Sequence, residues 1–193
     1  MNKAAFFDRD GVINIDYGFV GQIENYDLID GVPQALCLLR ELGYYLVLVT
    51  NQSGIARGKY TESDFFKVTS FMQSNLSLYN ACFDKVYFCP HHPHKGYDGE
   101  IPELKIDCDC RKPRIGMLRK AAERFNIDLS QSWFIGDTTM DIQTGKNAGT
   151  KTMLVKTGEA GMDGKYDVKP DYIAGNLLDA VKLILNEKER NEA

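Results

Sequence analysis

The sequence predicts an α/β fold, a Rossmann-like parallel sheet flanked by helices. Short apolar runs alternate with helix-patterned segments from end to end, as expected for a parallel sheet covered on both faces. The helical segments begin near proline and stop near glycine, as Pro33 and Gly43 bound PQALCLLRELG. Acids and small polar residues recur where the apolar runs end, which places chemistry at one edge of the sheet.

The elements follow in order. AAFFD (4–8) is the first strand and 33–43 the first helix; YLVLVT (45–50) is the second strand. ESDFFKVTSFMQSNLSLY (62–79) is helical, with Met72 and the aromatics of 65–71 read as core or interface. KVYFC (85–89) is the third strand, followed by a non-periodic tract, 89–112, rich in Cys, His, Pro and Asp. A tract that long needs a function or an internal staple. IGMLRKAAERF (115–125), SWFIGD (132–137), MDIQTGKNAG (140–149) and KTMLVK (151–156) continue the alternation. A weaker strand, DYI (171–173), precedes the helical NLLDAVKLILNEKER (176–190), and 157–170 reads as a flexible loop without an assigned role. The 193 residues suit one domain spanning 1–193.

Apolar residues make up 44%, charged residues 26%, and the net charge is −4. With no Lys/Arg run, nothing electrostatic calls for nucleic acid or an anionic membrane as partner. The two cations of GIARGKY read as a solvated loop. The first residues lack the apolar stretch of a signal peptide, and no apolar run approaches the ~20 residues needed to span a bilayer. A cytoplasmic location is expected. There the five cysteines stay reduced, with Cys37 and Cys82 as small buried side chains.

In open α/β sheets, ligands bind beyond the carboxyl ends of the strands. Those ends carry Asp8 and Asp10, then Thr50 and Asn51, then Asp137 and Asp141. Strand periodicity would point Asp8 and Asp10 the same way, so their charges repel unless a cation intervenes. Asp8, Asp10 and Asp137 together make a hard oxygen pocket suited to Mg²⁺ rather than zinc. An aspartate can attack phosphorus, and an acid two residues on can protonate the leaving alkoxide and later activate water. Thr50 and the Lys112 of CRKP offer contacts to phosphoryl oxygens. Taken singly, the aspartate pair could be a capped turn, Thr50-Asn51 and GDTTMD helix starts, and Arg111 a solvated charge.

DRDGV, VTNQSG, CDCRKP and GDTTMD, in this order, resemble the four motifs of the haloacid dehalogenase-like (HAD-like) phosphohydrolases. DRDGVIN, NQSGIARG, CPHHP and CDCRKP are similar to one branch, the heptose-bisphosphate 7-phosphatases and histidinol-phosphate phosphatases. The likeness runs from Ala5 to about Val155. It implies a HAD-like fold with no large cap domain, Asp8 as nucleophile and Asp10 as acid/base. Mg²⁺ would be held by Asp8, Asp10 (through its carbonyl) and Asp137, and the phosphoryl group by Thr50 and Lys112. Substrate contacts would come from Asp16, Tyr17, Gly18 and Phe19, from Thr50, Asn51, Gln52 and Ser53, and from Arg111. Asp141 would support these groups rather than bind the metal.

Cys89-Pro-His91 and Cys108-Asp-Cys110 form two short-spaced pairs of soft ligands across a loop, as a tetrahedral structural zinc requires. The expected Zn²⁺ ligands are Cys89, His91, Cys108 and Cys110, with His92 and His94 as competing donors. The resemblance supports the same four, although HKGYDGEIPELKID is longer than in the heptose enzymes. Cys110 lies two residues before Lys112, so zinc would fix the loop presenting Arg111 and Lys112.

The expected function is a Mg²⁺-dependent phosphomonoesterase with an aspartyl-phosphate intermediate, acting as a monomer on a small phosphorylated metabolite. The 7-phosphate of a heptose 1,7-bisphosphate is the first choice, because Arg111 suits a distal phosphate and CPHH…CRKP resembles the heptose enzymes. Histidinol phosphate or another small metabolite is the alternative. A phospho-accepting receiver domain would need an aspartate after the third strand, where Cys89-Pro90 stands. A catalytically dead binding module would need a missing group, and none is missing. The segments between motifs leave no room for the lid of a mutase.

Overall fold

The computed structural model describes residues 1–192. Six strands, β1 (Lys3–Phe7), β2 (Tyr44–Asn51), β3 (Lys85–Cys89), β4 (Trp133–Gly136), β5 (Lys151–Val155) and β6 (Tyr172–Ala174), form one sheet in the order β3-β2-β1-β4-β5-β6. Every neighbouring pair is parallel. The helices are α1 (Val32–Glu41), α2 (Ser53–Ala56), α3 (Glu62–Ser77), α4 (Gly116–Phe125), α5 (Thr139–Ala148) and α6 (Leu177–Glu192). Each expected strand and helix is present within two residues of its predicted bounds; the one-turn α2 was not expected.

Both faces of the sheet are covered, which is why its strands are apolar without alternation. Ala5 and Phe7 of β1 join a core with Leu36 and Leu39 of α1 and Val181 and Ile184 of α6. Ala4 and Phe6 join the opposite core with Met117, Leu118 and Ala121 of α4. Phe6 and Phe7 are fully buried, each contributing on the order of 1.5–3 kcal/mol. In α3, Phe65, Val68, Met72 and Leu76 recur at helical spacing and are buried, whereas Phe66 and Phe71 face outward.

Cys37 and Cys82 depart from expectation. Both are half-buried, because Cys37 flanks the buried stripe of α1 and Cys82 lies in the turn before β3. All five cysteines are unpaired. Among the described residues, no helix is long and apolar enough to cross a membrane.

The chain leaves β1 to build β2 and β3 on one side, then crosses to build β4, β5 and β6 on the other. The strand order therefore reverses between β1 and β4, and a crevice opens beyond their carboxyl ends. The Asp8 amide donates to Ile135 O at 3.1 Å, holding those two ends together. That pairing brings the segments of Asp8 and Asp137 side by side.

Candidate active site

β1 stops at Phe7, so Asp8 and Asp10 lie on a turn rather than along the strand. Gly11 sits at φ +80 within it, and the amides of Val12, Ile13 and Asn14 converge on Arg9 O. The expected repulsion is relieved partly by the chain's own cations. Fully buried Arg9 donates to the Asp10 carboxylate from Nε (3.1 Å) and Nη2 (2.9 and 3.0 Å). Asp10 also accepts from Asn14 Nδ2 at 3.0 Å and Gln52 Nε2 at 3.1 Å. Asp8 instead faces the Lys112 ammonium at 2.9 Å.

Asp8, Asp137 and Asp141 each offer a carboxylate oxygen within 4.8 Å of the others. Lys112 alone offsets them, leaving an excess of negative charge that suits a divalent cation. Burial, then the Asp141 and Asp10 charges, push Asp8 up to about 6 despite Lys112. Burial, then Asp141 and Asp8, push Asp137 up to about 8. Asp137 Oδ2 accepts from the Glu159 amide at 2.8 Å, while its buried Oδ1 has no protein partner. An unpartnered buried oxygen among carboxylates fits a hard metal ion.

Asp141 has both oxygens engaged. Oδ1 takes Lys112 Nζ at 2.6 Å, and Oδ2 takes the Thr138 hydroxyl at 2.5 Å in the capping box that starts α5. Burial works against the Lys112 charge, but Asp141 and Asp8 outweigh it and hold its pKa above the ordinary lysine value. Asn51 grips the Lys112 backbone, accepting from its amide at 3.0 Å and donating to its carbonyl at 3.3 Å. Thr50 accepts from Gln52 Nε2 at 2.9 Å, and Gln52 Oε1 accepts from the Tyr60 hydroxyl.

These groups open onto a cleft of roughly 330 Å³. Asp8, Asp10, Thr50, Lys112 and Asp137 line it, as do Asp16, Gly18, Phe19, Asn51, Gln52, Ser53 and Arg111. Tyr17 does not; its exposed hydroxyl donates to Asp27 at 2.8 Å.

Cys89, His91, Cys108 and Cys110 form a second cluster. Cys110 Sγ lies 3.3 Å from both Cys89 and Cys108 and 3.4 Å from His91 Nδ1. Cys89 Sγ is 3.5 Å from Cys108 and 3.7 Å from His91 Nδ1. Tetrahedral zinc with Zn–S near 2.3 Å sets its ligands roughly 3.5–3.8 Å apart, so the donor set fits that ion. His92 points away, its Nε2 2.7 Å from Arg57 Nη2, and His94 is exposed.

Three features escaped the sequence reading. Arg9 gave no sign that it would be buried beneath Asp10. Arg57 of GIARGKY is half-buried on the cleft wall rather than solvated. The 157–170 loop packs on the acids: Thr157 donates to Gly11 O, the Gly161 amide to Asp137 O, and Asp163 caps Thr139. A Cβ on Gly158 would stand 2.0 Å from Asp137 Oδ2, so glycine permits that approach.

A sequence model of the HAD-hydrolase-like family matches residues 109–180. The chain is 44% identical over 191 residues to the D-glycero-beta-D-manno-heptose-1,7-bisphosphate 7-phosphatase of Haemophilus influenzae, covering 98% of this chain and 100% of that one. The Escherichia coli K12 protein of the same name is 41% identical, covering 96% and 95%. The chain belongs to the HAD-like phosphatases. Among solved HAD-like phosphatase structures, the D,D-heptose 1,7-bisphosphate phosphatase of B. bronchiseptica, complexed with magnesium and phosphate, is 30% identical with a TM-score of 0.83. That likeness covers 96% of this chain and 99% of the other. At the carboxyl edge of the sheet this chain gathers Asp8, Asp10, Asp137, Thr50 and Lys112 around one cleft.

Proposed function

We propose that this HAD-like phosphatase removes the 7-phosphate of D-glycero-D-manno-heptose 1,7-bisphosphate through an aspartyl phosphate on Asp8. The carrying observation is the convergence of Asp8, Asp137 and Lys112 at the β1–β4 crevice, with Asp137 Oδ1 left unpartnered. The relatives' names supply the heptose.

In this reading, Asp8, Asp137 and the Asp10 carbonyl would hold Mg²⁺, which when bound neutralises phosphoryl charge. Lys112 and Thr50 bind the equatorial oxygens. An Asp8 oxygen attacks phosphorus as the P–O ester bond breaks, and Asp10 gives its proton to the departing alkoxide. Asp10, now a carboxylate, takes a proton from the water that attacks phosphorus. Inorganic phosphate leaves and Asp8 is regenerated. Arg9, Asn14 and Gln52 orient Asp10 for both transfers.

The four soft donors at residues 89, 91, 108 and 110 would hold a structural Zn²⁺ that stiffens the tract ahead of Arg111 and Lys112. A single domain, working as a monomer, suffices because one chain supplies every group the chemistry requires. A reducing cytoplasm suits its five unpaired thiols.

The test is phosphate release from the heptose bisphosphate and from histidinol phosphate, with Mg²⁺ and with chelator. The reading expects metal-dependent turnover and higher kcat/KM on the bisphosphate. Higher kcat/KM on histidinol phosphate would assign the site to the amino alcohol instead.

A further inference from the structure

The cleft has two electrostatic zones. Around the acids Arg9 pairs with Asp10, and Lys112 with Asp8 and Asp141. Arg57 also lines this cleft, half-buried and without a carboxylate partner among the described residues. A partly desolvated cation left unpaired is unfavourable unless an anion arrives.

We propose that Arg57 binds the second anionic group of a doubly charged substrate, the phosphate remote from Asp8. This rests on the bisphosphate reading above and adds a residue to it. Arg57 is held ready for that role. Its guanidinium stacks on the Tyr97 ring at 4.5 Å and lies 5.5 Å from the Phe19 centroid. Its Nη2 contacts His92 Nε2 at 2.7 Å; a guanidinium only donates, so the ring nitrogen is the acceptor. The Arg57 Nε–H is buried and has no hydrogen-bond partner. Arg111 lines the same cleft and spends one N–H on His91 O at 3.2 Å. Two guanidiniums lining one cleft suit a phosphate, which each can grip through two N–H groups.

Tyr97 belongs to the tract between the zinc-type ligands. The Glu100 carboxylate accepts from the Tyr97 amide at 3.0 Å, and two residues on, Gly99 packs so closely on Gly58 that a Cβ there would meet Gly99 O at 1.9 Å. The tract thus braces Arg57 from behind, and Tyr97 is a positioning residue.

The experiment compares kcat/KM for the heptose 1,7-bisphosphate with that for the same heptose carrying only the 7-phosphate. Arg57→Gln is expected to lower this ratio about tenfold or more, chiefly through KM. Tyr97→Leu is expected to lower it less, and Tyr97→Phe to restore it. An unchanged ratio in Arg57→Gln overturns the proposal, since a merely structural role would depress both substrates alike. If Arg57→Gln does not fold, Arg57→Lys replaces it, with a smaller loss expected and an unchanged ratio contradicting. Should the wild type itself not prefer the bisphosphate, the heptose reading falls, and Arg57 is judged by inhibition of 4-nitrophenyl phosphate turnover. Fructose 1,6-bisphosphate outcompeting fructose 6-phosphate in the wild type but not in Arg57→Gln supports the proposal; equal behaviour of the two proteins overturns it.

Discussion

The Lys112 ammonium lies 2.6 Å from Asp141 Oδ1, and neither side chain is more than 2% exposed. This buried pair ties the loop after the cysteine cluster to the first turn of α5. Asp141→Ala would leave Lys112 facing Asp8 alone. In metal-free protein the loss of stability should be about 3–5 kcal/mol, typical of a broken buried pair. Thr138→Ala, which removes the cap but keeps the pair, should cost only about 1 kcal/mol. Equal losses in urea titrations would mean that Asp141 matters only as a helix cap.

Cys110 of the cysteine cluster and Lys112 are two residues apart. Cys110→Ser should lower bound zinc and phosphatase activity together, activity by roughly 10–100-fold, while far-UV circular dichroism stays close to wild type. Metal analysis beside kinetics checks this. A zinc-depleted variant with full activity would uncouple the tract from catalysis.

Gly158 lets the 157–170 loop press on Asp137. Gly158→Ala puts a Cβ 2.0 Å from Asp137 Oδ2 and 2.7 Å from Gly11 Cα, both on groups with little room to move. The Mg²⁺ concentration for half-maximal activity should rise by about tenfold or more. An unaltered Mg²⁺ requirement would show that the loop does not shape the metal pocket.

Acid stability has a local test on α3. Hydrogen bonds from the Thr61 side chain and amide, then Lys67, hold the Asp64 carboxyl down at about 2, against 3.8. Because the folded value is the lower one, its stabilising contribution is complete above about pH 4 and fades as pH falls towards 2. The melting-temperature gap between wild type and Asp64→Ala should therefore be constant from pH 7 to 5 and shrink below pH 4. A gap that widens on acidification would contradict this sign.

Much of this was legible in the residues, and the exceptions share a cause. Strands and helices followed from periodicity and from Pro and Gly at their ends, and Asp8, Asp10, Thr50, Lys112 and Asp137 from side chains whose chemistry is specific. The 157–170 loop escaped because it reaches Asp137 through backbone amides, which every residue type carries. Arg57 escaped because a one-turn helix offers no periodic face from which to read burial. Arg9 escaped because a charged residue between two aspartates looks solvated until the turn folds over it. Tyr17 errs in the other direction: its neighbours line the cleft, but its own side chain turns to Asp27.

The central claim is tested most directly by trapping phosphate on Asp8. With 4-nitrophenyl phosphate the leaving group needs no proton, so Asp10→Asn should slow only the second half of the reaction and let the acyl phosphate accumulate. Borohydride reduction of the quenched protein, followed by mass spectrometry, should then reveal homoserine at position 8, and none in Asp8→Asn. Homoserine at another position, or undiminished turnover by Asp8→Asn, would contradict it.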